Sequence, residues 1–151
     1  FINLTNYCVM IMIIIIVYLL INFSAQDIKI YDFYLEKCAN VSDIVEKHDT
    51  LDMNIVHDFL LNKPSDNNII EYIEWRNELL FKLLDCYPQE MVCILSSFSM
   101  EQRESIYNEL LVPIHDGIDF KGILSKISSV DKCISIKNEL KGVFYLLIQQ
   151  L

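Results

Sequence analysis

Residues that interrupt helices are scarce in this sequence and far apart. Glycine occurs only at Gly117, Gly122 and Gly142, and proline only at Pro64, Pro88 and Pro113. No segment alternates apolar and polar residues between turn dipeptides, the pattern that hairpins need. The prolines instead punctuate stretches with helical periodicity. The chain therefore reads as all-α, a small helical bundle of about five to seven helices behind an N-terminal signal-like hydrophobic segment. Neither a low-complexity linker nor an internal repeat subdivides residues 26–151, so they read as a single helical domain.

Start and stop signals divide that domain. Tyr31 to Asn62 holds one or two helices, with Ile44, Val45, Ile55, Val56, Phe59 and Leu60 as core candidates. After a turn at Lys63-Pro64-Ser65-Asp66, Asp66 or Asn67 can cap the next helix. That helix, Asn68 to Leu84, carries one stripe of Ile69, Ile73, Arg76 and Leu80 and another of Tyr72, Trp75, Leu79 and Leu83. So wide an apolar surface does not suit a helix lying on the outside. Pro88 fits a first helical position, with Glu90 in the first turn. Ser99 and Gln102 form an S-x-x-Q capping box, and Pro113 limits the helix that it starts. His115-Asp116-Gly117 is a turn. Asp119 caps a helix with Phe120, Ile123, Leu124 and Ile127. Ser128 or Ser129 is expected to cap a last helix with Val130, Cys133, Ile134, Leu140, Val143, Phe144 and Leu147.

The opening segment has no charge before Asp27, and its apolar heart, Val9 to Ile21, is about 13 residues long. A bilayer-spanning helix needs roughly 20 apolar residues, whereas the core of a secretory signal has about 7–15. Residues 1–25 therefore read as a signal peptide, with Ser24-Ala25 as the small residues at the cut. The alternative is an uncleaved membrane anchor, with Tyr7 to Phe23 as one helix. In its favour, no Lys or Arg precedes the run, and neither Asn22 nor Phe23 is the small residue expected three before the cut. The sequence opens on Phe1 and stops at Leu151 within an apolar helical pattern, so it is expected to be part of a longer product.

Charge and cysteine usage bound the rest. With 21 acidic and 12 basic side chains, the net charge is −9, and all of it lies beyond Ala25. Nucleic acid and anionic membrane surfaces demand clustered Lys and Arg, so both are unexpected partners. Cys8 would leave with a signal peptide. The disulfide candidates are then Cys38, Cys86, Cys93 and Cys133, an even number that suits an exported protein. On one continuous helix Cys86 and Cys93 would be about 10 Å apart, beyond disulfide reach. Long-range bonds such as Cys38–Cys86 with Cys93–Cys133 are favoured; four free thiols in a cytosolic protein are the alternative. Asn40-Val41-Ser42 is a candidate glycosylation acceptor.

No catalytic constellation emerges. The chain has no G-x-S-x-G elbow, phosphate-cradling loop, C-x-x-C pair or H-E-x-x-H. His48 and His57 are nine apart, which is not a one-face helical spacing, and a metal reading would also need Asp49 or Asp58 to converge. Glu71, Glu74 and Glu78 lie on one helix face and read as a solvated face. Trp75 and Arg76 read as a recognition patch or, more simply, as core. No enzyme activity, cofactor or metal is expected.

Two resemblances suggest functions. Tyr87 to Leu110, YPQEMVCILSSFSMEQRESIYNEL, resembles the opening of the nematode fatty-acid- and retinol-binding proteins, secreted all-helical carriers. Pro88, Glu90, Ser96, Ser97 and Glu101 match that pattern, with Phe98-Ser99 in place of Leu-Thr. Ile123 to Leu140 is similar to the family's next two helices in apolar phase. The resemblance implies a secreted binder of fatty acid or retinoid-like ligands. Its chamber would be lined by Met91, Val92, Leu95, Ile106, Leu110, Ile123, Leu124 and Ile127, each buried methylene contributing about 0.8 kcal/mol. The shorter stretch EYIEWRN, Glu71 to Asn77, looks like the early-helix motif of poxvirus Bcl-2-like immune modulators. It implies a secreted or virus-derived protein–protein interaction module with a solid core and no ligand cavity.

Overall fold

The computed structural model describes residues 4–47, 50–63 and 70–150; within the first helix it describes side chains at 12–18 and 29–47. Among the described residues there are seven helices and no strand, which is the all-α class expected. They are α1 (Leu4–Lys47), α2 (Met53–Leu61), α3 (Ile70–Cys86), α4 (Pro88–Ser96), α5 (Met100–Leu110), α6 (Phe120–Ser129) and α7 (Ile134–Gln149). The chain forms two compact units, Phe1–Phe33 and Tyr34–Leu151.

The first unit contains α1 as far as Phe33. From Met12 to Tyr18 every side chain is between 48% and 66% exposed. At 3.6 residues per turn, that run points in all directions around the helix axis. Ser24 and Ala25, the expected cleavage residues, lie outside the described side chains, as do Asp66, Asn67 and His48.

The second unit contains Tyr34–Lys47 of α1 and the remaining helices. Its core candidates fall largely as expected. Val45, Val56, Phe59 and Leu60 are buried, while Ile44 and Ile55 are half-buried against the core. Helix α3 lies against α4, α5 and α6; α4 also meets α2, α6 and α7; α5 meets α7, and α6 packs extensively on α7. Central placement explains the broad apolar surface of α3, which buries Leu79, Leu80, Phe81, Leu83 and Leu84. Phe81, Phe120 and Phe144 join α3, α6 and α7 in a ring cluster with centroids 5.6, 6.2 and 6.3 Å apart. Such inclined aromatic pairs stabilise by about 0.5–1.5 kcal/mol each beyond simple burial.

Local signals fix most helix ends. Asp52 Oδ1 accepts the amides of Asn54 (2.9 Å) and Ile55 (3.3 Å), capping α2. Pro88 opens α4, which breaks the helix between Cys86 and Cys93. The Ser99–Gln102 capping box is complete in both directions. Asp119 Oδ1 accepts the Gly122 amide at 2.9 Å. A Cβ on residue 122 would clash with Asp119 Oδ2, so this cap and a side chain at 122 compete for the same space.

The last helix corrects the sequence reading. Neither Ser128 nor Ser129 caps it, because α6 continues through both. Their hydroxyls donate backwards to the carbonyls of Leu124 (2.7 Å) and Lys126 (2.6 Å), a local bond open to Ser inside a helix. The cap position of α7 is Cys133 instead, in the left-handed region at φ 49° and without a side-chain cap bond. It is the one non-glycine residue with positive φ among the described residues.

Candidate functional site

Three places were candidates for chemistry: the expected ligand chamber, the Trp75–Arg76 stretch and the cysteines. Met91, Val92, Leu95, Ile106, Leu110, Ile123 and Ile127 do come together, and all are buried; Leu124 is half-buried. They belong to one continuous cluster with Leu79, Leu80, Leu84, Phe144 and Leu147. These side chains cover one another, as the residues of a packed core do.

Arg76 sits at the centre of a polar knot joining α2, α3 and α5, and only 2% of it is exposed. Its Nη1 donates to the Phe59 carbonyl and its Nη2 to that of Leu60 (3.0 Å), so it satisfies acceptors in the last turn of α2. Its Nε donates to Glu109 Oε2 at 2.7 Å, and its carbon Cζ lies 4.7 Å from the centre of the Phe59 ring. Burial works against the guanidinium charge, but Glu109 and Tyr72 more than offset this and hold its pKa above the usual value. Glu109 Oε1 accepts no well-aligned hydrogen bond among the described residues, although Lys63 Nζ approaches to 3.2 Å as an ion pair. Beside it, Asn77 donates to the Glu109 carbonyl (2.9 Å) and accepts the Ile114 amide (3.1 Å).

Two acidic groups on this side of the bundle are hard to ionise. Burial pushes the Cys38 thiol up from 9.0 to about 12, Arg76 pulling weakly the other way. Burial likewise pushes Tyr72 up to about 12. Trp75 is half-buried against the core. The recognition stretch is thus largely architecture. The burial of Arg76 had one sequence signal, its place in an apolar stripe between Ile73 and Leu80. Apart from Tyr72, one turn away on the same helix, its partners are 16 to 33 residues away and carried none.

On the other side of α3 an open groove of about 560 Å³ runs along the turn before α6 and α6 itself. Phe81, Ile118 and Ile123 contribute its apolar lining, and the turn is made by Gly117 at φ +84°. Glu78, Asp85, Asp116 and Asp119 supply four carboxylates, against the two ammonium groups of Lys82 and Lys126. Both lysines are already engaged, Lys82 with Glu78 (2.7 Å) and Lys126 with Asp85 (2.6 Å). His115 Nε2 reaches the Glu74 carbonyl at 3.1 Å, holding the turn to α3. Sequence reasoning named this turn but not the groove, which exists only once α3 and α6 are neighbours.

The four cysteines are free. Cys38 is sealed in the core and Cys86 is exposed in the groove, which does not suit the expected Cys38–Cys86 bond. Cys133 Sγ and Cys93 Sγ, in contrast, are 3.8 Å apart. Burial, then the hydrogen bond shared with Cys133, raises the Cys93 pKa. Asn40 is exposed, but its triplet lies inside α1, with Val41 buried and Ser42 donating to Glu46 (3.0 Å). His57 packs edge-on against Phe98, ring centres 4.8 Å apart. Comparison with protein-family models, curated proteins and solved structures returns no match.

Proposed function

We propose that this chain is a helical protein–protein interaction module. Its binding site would be the groove between α3 and α6, and its partner a basic, amphipathic segment of another protein. One observation carries the reading. The residues that would have to line a lipid chamber are packed on one another, while an acid-rimmed groove lies open on the surface. An apolar anchor on the partner suits Phe81, Ile118 and Ile123. Lysine or arginine beside that anchor suits Asp116 and Asp119, since the groove's own lysines are engaged with Glu78 and Asp85. The likeness of Glu71 to Asn77 to Bcl-2-like modulators points the same way. Export behind residues 1–25 belongs to the same proposal.

The alternative is the secreted carrier of fatty acid or retinoid-like ligands, which requires the core around Leu95 and Leu110 to part. Fluorescence anisotropy with a labelled Lys-rich amphipathic peptide separates the two. The proposal expects saturable binding that weakens as salt is raised. It also expects the Asp116→Lys substitution to reduce affinity about tenfold through like-charge repulsion. A silent peptide, together with a strong emission change from a fluorescent fatty acid at micromolar protein, would reverse the preference.

A further inference from the structure

Two observations of different kinds meet at the start of α7. The first is the approach of Cys93 Sγ and Cys133 Sγ to 3.8 Å across 40 residues of chain, both half-buried. The second is the backbone of Cys133, left-handed at φ 49°, a conformation that costs an ordinary L-residue roughly 1–2 kcal/mol. Asn or Gly would occupy that position with less strain. The cysteine there does not cap its helix, and its sulfur points to Cys93 Sγ and Ser96 Oγ (3.6 Å).

We propose that Cys93 and Cys133 form a disulfide that ties α4 to the N-terminus of α7, while Cys38 and Cys86 stay reduced. The oxidant is a low-molecular-weight disulfide. One protein thiolate attacks it, displacing one small thiol and leaving a mixed disulfide. The second protein thiolate then attacks the protein sulfur of that mixed disulfide and displaces the other small thiol. Two cysteine thiols lose two protons and two electrons, and one small disulfide becomes two small thiols. Cys38 is excluded because the core denies it access. Cys86 lines the α3–α6 groove apart from the sulfur pair, so a mixed disulfide formed there meets neither of those thiolates and is reversed by the small thiol.

The bond closes a long loop and should raise the melting temperature of the oxidised chain by about 5–10 °C over the reduced one. This inference stands apart from the groove, and peptide binding does not enter its test. The purified full chain is equilibrated with reduced and oxidised glutathione, quenched with acid, its free thiols are alkylated in denaturant, and its intact mass is measured. Digestion at glutamate then cuts at Glu90 and separates Cys86 from Cys93. The expected result is a loss of two hydrogens, a linked peptide pair containing Cys93 and Cys133, and alkylated Cys8, Cys38 and Cys86. Cys93→Ser should remove the link with helicity unchanged. Full alkylation of Cys93 and Cys133 after oxidation, or a link from either to Cys86, overturns the proposal. A bond that forms without raising the melting temperature overturns its role as a brace.

Discussion

The two halves of α3 use the same kinds of side chain for different ends. Toward its N-terminus, Tyr72, Arg76 and Asn77 are buried and tied to α2, α5 and the segment after α5. Toward its C-terminus, Glu78, Lys82 and Asp85 line an open groove and pair at its rim. A charge withdrawn from water must have every partner in place, and removing one leaves the others desolvated. Paired charges at a rim are screened and contribute little to stability. The buried polar side chains of the first half therefore help to hold the fold together, whereas the charged ones of the second contribute little, and that half stabilises the fold through Leu79, Leu80, Phe81, Leu83 and Leu84 instead.

That contrast breaks most easily at Arg76. Arg76→Ala should lower the unfolding free energy by about 3–5 kcal/mol, because Glu109 and the Phe59 and Leu60 carbonyls lose their donor. Arg103→Ala makes a fair control, since its pair with Glu139 at 2.9 Å is less deeply buried; its expected cost is about 1 kcal/mol. Similar urea midpoints for the two variants would remove the distinction.

The second test uses alkali. Cys38 and Tyr72 keep their protons in the folded chain to about pH 12, whereas the unfolded chain releases them near 9.0 and 10.0. Their contribution is therefore fully present below pH 9 and is lost as pH rises toward 12. Each titrating group should lower stability by up to about 1.4 kcal/mol per pH unit in that window. Denaturant titrations at several alkaline pH values measure the slope, and Cys38→Ala should flatten its lower part. Unchanged stability across this range would mean that Cys38 on α1 and Tyr72 on α3 are better hydrated than their burial indicates.

Smaller effects are expected on the groove side. Asp119→Ala removes the cap of α6 and should cost about 1 kcal/mol by thermal or chemical unfolding. Glu78→Gln should change stability by less than about 0.5 kcal/mol, since it breaks only a rim pair with Lys82. If Glu78→Gln proved as costly as Asp119→Ala, the rim would be structural and the two halves of α3 alike.

How far these features were legible depended on the range of the forces that set them. Pro88, the Ser99–Gln102 box and Asp119 act within a few residues, and the helices start where those residues say. Cys133 was misread because Ser128 and Ser129, good cap residues by type, satisfied their hydroxyls one turn back and let α6 run on. Of the residues expected to line a chamber, all but the half-buried Leu124 face the core. Periodicity reports which face is buried, and says nothing of whether the space behind it is filled. The apolar stripe around Arg76 hinted at its burial, but its partners on α2 and α5 and the acid-rimmed groove depend on helices distant in sequence, so no local pattern announced them.

The competition between the Asp119 carboxylate and a side chain at position 122 has a consequence for descent. A lineage that replaces Gly122 must first give up the carboxylate or swing it away. One that has lost Asp119 is released from glycine and can gain helix propensity there. Positions 119 and 122 should therefore change together among diverged copies of this gene, and an Asp at the first should rarely accompany a branched residue at the second.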